Sequence, residues 1–364
     1  MTNNLIVNLL FHSLLLLSFL LIANPIKVNK KANILFGLFT LLWSSFWLEE
    51  VVLLIGGSAF QAQEIPLLSF LQFVTPIIFY LSVCYFTNPN YVLNKKSLSF
   101  LLIPLIYQIL LILNRDPNTD YQPILLALTL SHSLFYCCWI YIKLRKHKKD
   151  IKLFSSNPDE YDLRWLEHII HIFLIILVLI TLFNIIFYKA PLNIFMNSSM
   201  LICIFFIAYN ALKQKEIYPI NKKQTQEVIS IGEDVSDKDD KKKMVPDDKL
   251  VELKAKLNAL MQEKEPYLNS DLNLINLSEL LNVSPHILSY VINKGFQVNF
   301  TQFVNTYRVE KAKHLLKDPK TSKALSILGI AYESGFNSKT VFNTTFKKVT
   351  GLTPSEFKKK GLDS

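Results

Sequence analysis

The stretch NLSELLNVSPHILSYVINK, residues 276–294, signals two helix starts in quick succession. Asn276 followed at the third position by Glu279 has the shape of a capping box, which predicts a short helix running through Leu281. Asn282 and Val283 then lead to Ser284-Pro285, an N-cap with proline at the first helical position, predicting a second helix over His286–Lys294. A helix, a three-residue turn and a second helix make the supersecondary unit that enters the major groove in many DNA-binding proteins. Many all-helical domains contain one such pair without binding DNA, so the neighbouring sequence has to decide.

The pattern repeats downstream. Ala324–Ser334 reads as a helix, Gly335 suits a left-handed stop, and Asn337 is placed to cap a helix over Ser338–Lys348. Leu277, Val283 and Ser284 recur 53 places on as Ile330, Phe336 and Asn337, and Leu288 and Ile292 recur 54 places on as Phe342 and Phe346. The one-residue change falls at the turn. Between the two units, Asn299–Lys317 carries Phe300, Phe303, Val304, Tyr307, Ala312, Leu315 and Leu316 on one stripe, opens with Asn299 and Gln302, and stops at Asp318-Pro319. A helix of that length spans roughly 26 Å, a spacing suited to setting two helices about one 34 Å turn of DNA apart. Upstream, Leu250, Leu253, Leu257 and Leu260 space an amphipathic helix ending before Pro266. Two heptads favour packing on its own domain over a coiled coil.

Taken together, Tyr307-Arg-Val-Glu-Lys-Ala-Lys-His-Leu-Leu316, Ile327-Leu-Gly-Ile-Ala-Tyr-Glu-Ser-Gly-Phe336, Val341-Phe342, Phe346-Lys347-Lys348, Gly351-Leu-Thr-Pro354 and Phe357 resemble the AraC-type DNA-binding domain of bacterial transcription regulators. The resemblance covers about 110 of the 364 residues and implies that the second helix of each unit enters a major groove of double-stranded promoter DNA. Many members of that family carry a soluble sugar-binding barrel. Nothing of the kind precedes the domain here, so no sugar effector is carried over. Face assignment turns Leu288, Val291 and Ile292, and Val341, Phe342 and Phe346, inward. The opposite faces offer His286, Ser289, Tyr290 and Asn293, then Lys339, Thr340, Asn343, Thr344 and Lys347. Asn suits bidentate adenine contacts, and Lys suits guanine acceptors or phosphate. Lys348 and Lys358–Lys360 fit phosphate contact or plain solubility, while Arg308 is expected to brace the long helix.

The front of the chain has another character. Half of all residues are hydrophobic (51%) and 19% are charged, and the apolar ones concentrate before residue 213. Seven stretches approach or reach the roughly 20 residues that cross a bilayer as a helix: Leu5–Ala23, Ala32–Ile55, Ile65–Phe86, Leu98–Leu113, Pro123–Ile142, His168–Tyr188 and Pro191–Leu212. The first has no basic residue before it and no small-residue cleavage site after it, so a cleaved signal peptide is not expected. Alternate connections hold 16 Lys and Arg, against only Arg115 and Lys189 on the other side. By the positive-inside rule this predicts seven spans, with the N-terminus outside and the C-terminus in the cytoplasm. Removing any one span breaks the alternation.

Polar groups inside these spans, His12, Glu49, Glu50, Gln72, His132, Glu167, His168 and His171, are candidates for function. Glu167 and His171 lie four apart, as a metal site or proton relay would need, although hydration at headgroup level beside Trp165 is the plainer reading. Cys84, Cys137, Cys138 and Cys203 sit in apolar runs and read as small core residues. Residues 213–248, with EDVSDKDDKKK at 233–243, read as a charged flexible tether of roughly 30 Å r.m.s. span.

The expectation is therefore an all-α chain: a seven-helix transmembrane bundle over 1–212, a linker over 213–248, and a cytoplasmic double helix-turn-helix domain over 249–364. No phosphate loop, HExxH motif or nucleophile with its base appears, so neither enzyme activity nor a cofactor or metal is expected. The expected partners are promoter DNA, the membrane lipid of a bacterial inner membrane, an unidentified small-molecule or membrane signal, and a second copy of the chain as a homodimer. The competing reading is a seven-span transporter or receptor whose basic tail, with 17 Lys and Arg against 10 Asp and Glu over 249–364, binds a protein.

Overall fold

The computed structural model describes residues 2–57, 65–114, 121–158, 163–186, 193–214 and 245–362, and every regular element among them is a helix. Contacts group the chain into two compact units, Met1–His147 with Leu163–Pro219, and Lys148–Asp162 with Ile220–Ser364. The second grouping departs from the boundary expected at residue 212: a stretch from within the apolar half belongs with the C-terminal unit.

In the first unit the helices are α1 (Thr2–Ala23), α2 (Lys30–Ser44), α3 (Leu48–Leu54), α4 (Pro66–Thr87), α5 (Leu102–Leu113), α6 (Gln122–Ile151), α7 (Arg164–Ile186) and α8 (Asn193–Lys213). Among the described residues five helical runs are long and apolar enough to cross a membrane, namely Asn3–Ala23, Lys30–Leu54, Pro66–Thr87, Pro123–Ile151 and Ile194–Lys213; Ser99–Leu113 is apolar but shorter. The second apolar stretch is not one uniform helix, because a 3₁₀ turn at Ser45–Trp47 separates α2 from α3. Here Ser44 Oγ donates to Leu41 O (2.7 Å) and Ser45 Oγ to Leu42 O (2.6 Å), local bonds that compete with the helical ladder.

α1 packs on α2 and α8, α2 on α4, and α4 on α5. Gly37 lets α1 and α2 approach closely, since a Cβ there would lie 2.7 Å from Ile22 Cγ1 and 3.0 Å from Ser18 O. Inside, Phe39 stacks on Phe79 at 4.7 Å and Trp43 meets Phe173 edge-on at 5.2 Å. Outside, large apolar side chains such as Leu5, Phe19, Leu67, Ile142 and Ile202 are exposed. That inversion of a soluble surface is what a hydrocarbon surround stabilises.

The polar candidates of this unit do not converge. His132 is buried, stacked on Phe73 at 4.3 Å and edge-on to Tyr136 at 4.9 Å. Gln72 Nε2 donates to Ser45 O at 3.1 Å, and His12 Nδ1 lies 2.8 Å from Asn8 O. Glu167 is buried whereas His168 and His171 are exposed, so Glu167 and His171 do not present together. Among the described residues no group of three or more His, Cys, Asp or Glu is placed to hold a metal ion. Cys138 is exposed and Cys137 only half-buried, unlike the buried Cys84 and Cys203. Most of the expected tether, 215–244, lies outside the described residues.

The second unit holds α9 (Asp247–Glu263), α10 (Leu274–Leu281), α11 (Pro285–Tyr290) continued by a π turn at Val291–Gly295, α12 (Phe300–Lys317), α13 (Pro319–Ala324), α14 (Ile327–Glu333), α15 (Lys339–Thr350) and α16 (Pro354–Leu362). α9 buries Leu253, Leu257, Leu260 and Met261 against its own unit. α12 is capped reciprocally, with Gln302 N donating to Asn299 Oδ1 (2.9 Å) and Asn299 N to Gln302 Oε1 (3.2 Å). Its C-terminal half joins Val309, Ala312 and Leu316 to Ile330, Ala331, Phe336, Phe342 and Phe346 in one apolar cluster. Burying each of those Phe rings contributes about 3 kcal/mol at most.

Three boundaries move from their expected places. α10 starts at Leu274, not after Asn276, because Asn273 accepts from Asn276 N (2.9 Å) and so puts Leu274 and Ile275 in the core. Ser338, not Asn337, caps α15 by accepting from Val341 N (3.4 Å). Ala324 ends α13, and α14 begins only at Ile327 with Ser326 as its cap.

Candidate nucleic-acid interface

Two helical pairs carry the residues in question. In the second pair, α14 ends at Glu333 with Ser334 as its C-cap, and Gly335 takes the left-handed conformation (φ +86°). A side chain there is excluded, since a Cβ would stand 2.3 Å from Tyr267 O. Phe336 then turns into the core, Ser338 caps, and α15 leaves with Phe342 and Phe346 fully buried. On its other side Lys339, Thr340, Thr344, Lys347 and Lys348 are exposed and Asn343 is half-buried. The 3.6-residue period thus produces one polar, cation-bearing face on a helix whose opposite face is anchored. Thr344 Oγ1 is turned back onto Thr340 O, which leaves Asn343 and the lysines as the long reaching groups.

The first pair is more enclosed. Asn282 takes the left-handed turn position (φ 57°), Ser284 Oγ accepts from Ile287 N (3.3 Å), and Leu288, Val291 and Ile292 are buried as expected. Of its outward candidates, His286, Tyr290 and Asn293 are half-buried, but Ser289 is only 6% exposed. Ser289 therefore does not belong to an open reading face. Its Oγ accepts from Asn293 Nδ2 at 3.3 Å, tying two candidates to each other. The cause is local: α11 is six residues long, and the π turn after it packs against α9, with Lys254 Nζ lying 4.9 Å over the Phe296 ring.

Charge around these helices is unevenly free. Lys359 and Lys360 are exposed, while Lys358 Nζ donates to Ser322 O at the end of α13. Lys358 is thus a structural contact. Arg308 on α12 is fully buried and reads no base. Its Nε donates to Tyr267 O (2.8 Å) and its Nη2 to Asn269 O (2.9 Å), and its Nη1 approaches Asn305 Oδ1 at 3.3 Å. Burial lowers its pKa to about 10, with Asp271 opposing the shift, so the group stays cationic at neutral pH. The brace expected at Arg308 is present. Sequence reasoning missed two further partners, Ser156 and Asn157, which lie over 150 residues away and carry no periodic signal.

Residues 277–360 match the family model described as a helix-turn-helix domain. An uncharacterized HTH-type transcriptional regulator of Staphylococcus aureus (strain MSSA476) is 35% identical over 103 residues, covering 28% of this chain and 13% of that protein. The uncharacterized transcriptional regulatory protein YesN of Bacillus subtilis (strain 168) is 36% identical over 83 residues, covering 22% of each chain. The chain thus spans between an eighth and a quarter of the length of these curated relatives. No solved structure matches.

Proposed function

We propose that the chain is a membrane-embedded, one-component transcription regulator: a seven-span bundle responds to a signal in or across the inner membrane, and two cytoplasmic helix-turn-helix units bind promoter DNA sequence-specifically. The observation that carries this reading is α15, in the region matching the helix-turn-helix model, where Lys339, Asn343 and Lys347 line an open face above the fully buried Phe342 and Phe346. A helix held that way can enter a major groove without unpacking. Asn343 supplies the donor and acceptor pair suited to adenine, Lys339 and Lys347 suit guanine or phosphate, and Lys348, Lys359 and Lys360 add sequence-independent attraction. The first helical pair contributes Tyr290 and Asn293 at its half-buried edge. The exposed apolar surface of α1 to α8 and the asymmetry of Lys and Arg support residence in the membrane with the C-terminal unit in the cytoplasm.

The test is selection from a random duplex pool by the full-length protein in lipid nanodiscs, followed by gel retardation. Enrichment of one sequence, retarded with a steep salt dependence, is the expected result; retention of all duplexes alike, or of none, overturns the DNA-reading role. Reporter fusions after Ser58 and Thr119 should face outside, and those after Lys96, Lys149 and Lys223 inside. Two or more contrary sites overturn the seven-span topology.

A further inference from the structure

The connection between α6 and α7 does more than join two helices. Phe154, Ser155, Ser156 and Asn157 are all buried, within the C-terminal unit. Leu274 N donates to Phe154 O (2.8 Å) and Ser156 N to Leu272 O (3.2 Å), which flank an antiparallel bridge pairing Ser155 with Asn273. At the start of α12, Thr301 N donates to Lys152 O (3.2 Å) and Thr301 Oγ1 reaches Ser155 O (2.6 Å). Arg308 takes the rest: Nη2 donates to Ser156 Oγ (3.0 Å), and Nη1 to Asn157 Oδ1 (3.3 Å) and Ser156 O (3.4 Å).

Arg308 gives this contact its reach. Its guanidinium bonds the chain just before the first pair, at Tyr267 and Asn269, and lies 5.8 Å over the ring of Phe336 in the turn of the second. Every acceptor named for it is a neutral oxygen. A buried cation so held depends on the full set of acceptors, and removing those of Ser156 and Asn157 leaves N–H groups unmet in a dry site. None of the bonds named for 152–157 falls on the outward faces of α11 or α15, so a docked loop leaves those faces open while fixing what lies between them.

We propose that Leu272–Leu274, Thr301 and Arg308 form a docking site for the 152–157 loop of the same chain, and that docking holds the two helical pairs in their DNA-binding arrangement. Its effect on DNA rests on the function proposed above. Because α6 and α7 flank the loop in the chain, a change in those helices reaches the C-terminal unit through it, independently of the 215–244 segment.

The pairing pattern supplies the test. Ser155 and Asn273 form the pair without mutual hydrogen bonds, whose Cα atoms stand about 4.5 Å apart, within disulfide reach. Full-length protein in nanodiscs, with its four native cysteines replaced, carries Ser155→Cys and Asn273→Cys; a control carries Ser155→Cys with Lys339→Cys. A second variant, Asn157→Ala with Thr301→Val, releases the loop without touching the outward faces. Under mild oxidation the first pair is expected to close within one chain in most molecules and the control not. In the release variant, exchange of the Leu274 and Ser156 amides should rise about tenfold while that of Phe346 is unchanged. The locked protein should bind the selected duplex at least tenfold more tightly than the released one. A disulfide yield no higher than the control, a dimeric product, or unchanged exchange overturns docking in cis. Equal or weaker duplex binding by the locked protein overturns the route to DNA, while leaving the DNA-reading role intact. Failure of both forms to bind any duplex overturns that role, and the disulfide and exchange results still decide docking.

Discussion

α11 and α15 occupy corresponding places in two copies of one pattern, yet they are built differently. α15 is a regular helix of 12 residues, anchored by Phe342 and Phe346, with its polar face open. α11 has six residues, runs into a π turn, and spends Ser289 and Asn293 on each other. The second copy leaves most of its polar side chains exposed, whereas the first is packed against α9. Repetition in sequence therefore did not produce two equally open helices.

The sharpest way to break this contrast is to remove the anchor of the open helix. Phe346→Ala should cost about 3 to 5 kcal/mol of stability through a core cavity, seen as lost amide protection across α12, α14 and α15. Protection that survives intact would mean that α15 is not anchored as described.

A somewhat smaller effect is expected at the two turns. Gly335→Ala places a Cβ against Tyr267 O in a left-handed conformation and should destabilise by on the order of 3 kcal/mol. At the equivalent Asn282, which is exposed, replacement by Gly should change stability by only a few tenths of a kcal/mol, because Gly adopts the same conformation freely. Thermal unfolding of both variants measures the difference, and equal losses would erase it.

Base reading comes next. Asn343→Ala should weaken binding of the selected duplex by about 1 to 3 kcal/mol and relax preference at one base pair, with folding intact. Asn293→Ala should cost less, since its amide is already engaged with Ser289. The reverse order, in a quantitative gel shift, would move the reading role to the first helical pair. Smallest of all, Lys348→Ala should lower the salt slope of binding by about one counterion and leave sequence preference unchanged. A change in preference would place Lys348 among the base contacts.

What was legible in the sequence was what local chemistry decides. Ser284 ahead of Pro285, Asn299 with Gln302, the stop at Gly335 and the buried set Leu288, Ile292, Phe342 and Phe346 all stand where spacing put them. Two caps shifted because a second acceptor stood nearby: Asn273 beside Asn276, and Ser338 beside Asn337. At the first, the register that buries Leu274 and Ile275 prevailed. Ser289 was misplaced because a short helix ending in a π turn does not keep the face that a 3.6-residue period assigns. The docked loop was beyond reach, since nothing local in Ser155-Ser156-Asn157 names Arg308 as a partner.

The loop at 152–157 also bears on how such a protein can be cut and rejoined. A C-terminal unit outlined by two separate stretches of chain is not a cassette: a gene fragment beginning at residue 245 encodes α9 to α16 but omits Ser155, which pairs with Asn273, and the oxygens that Ser156 and Asn157 offer Arg308. Grafting that fragment onto a foreign sensor would transfer an incomplete module. A peptide of residues 148–158, supplied in trans, is the missing piece that complementation would need.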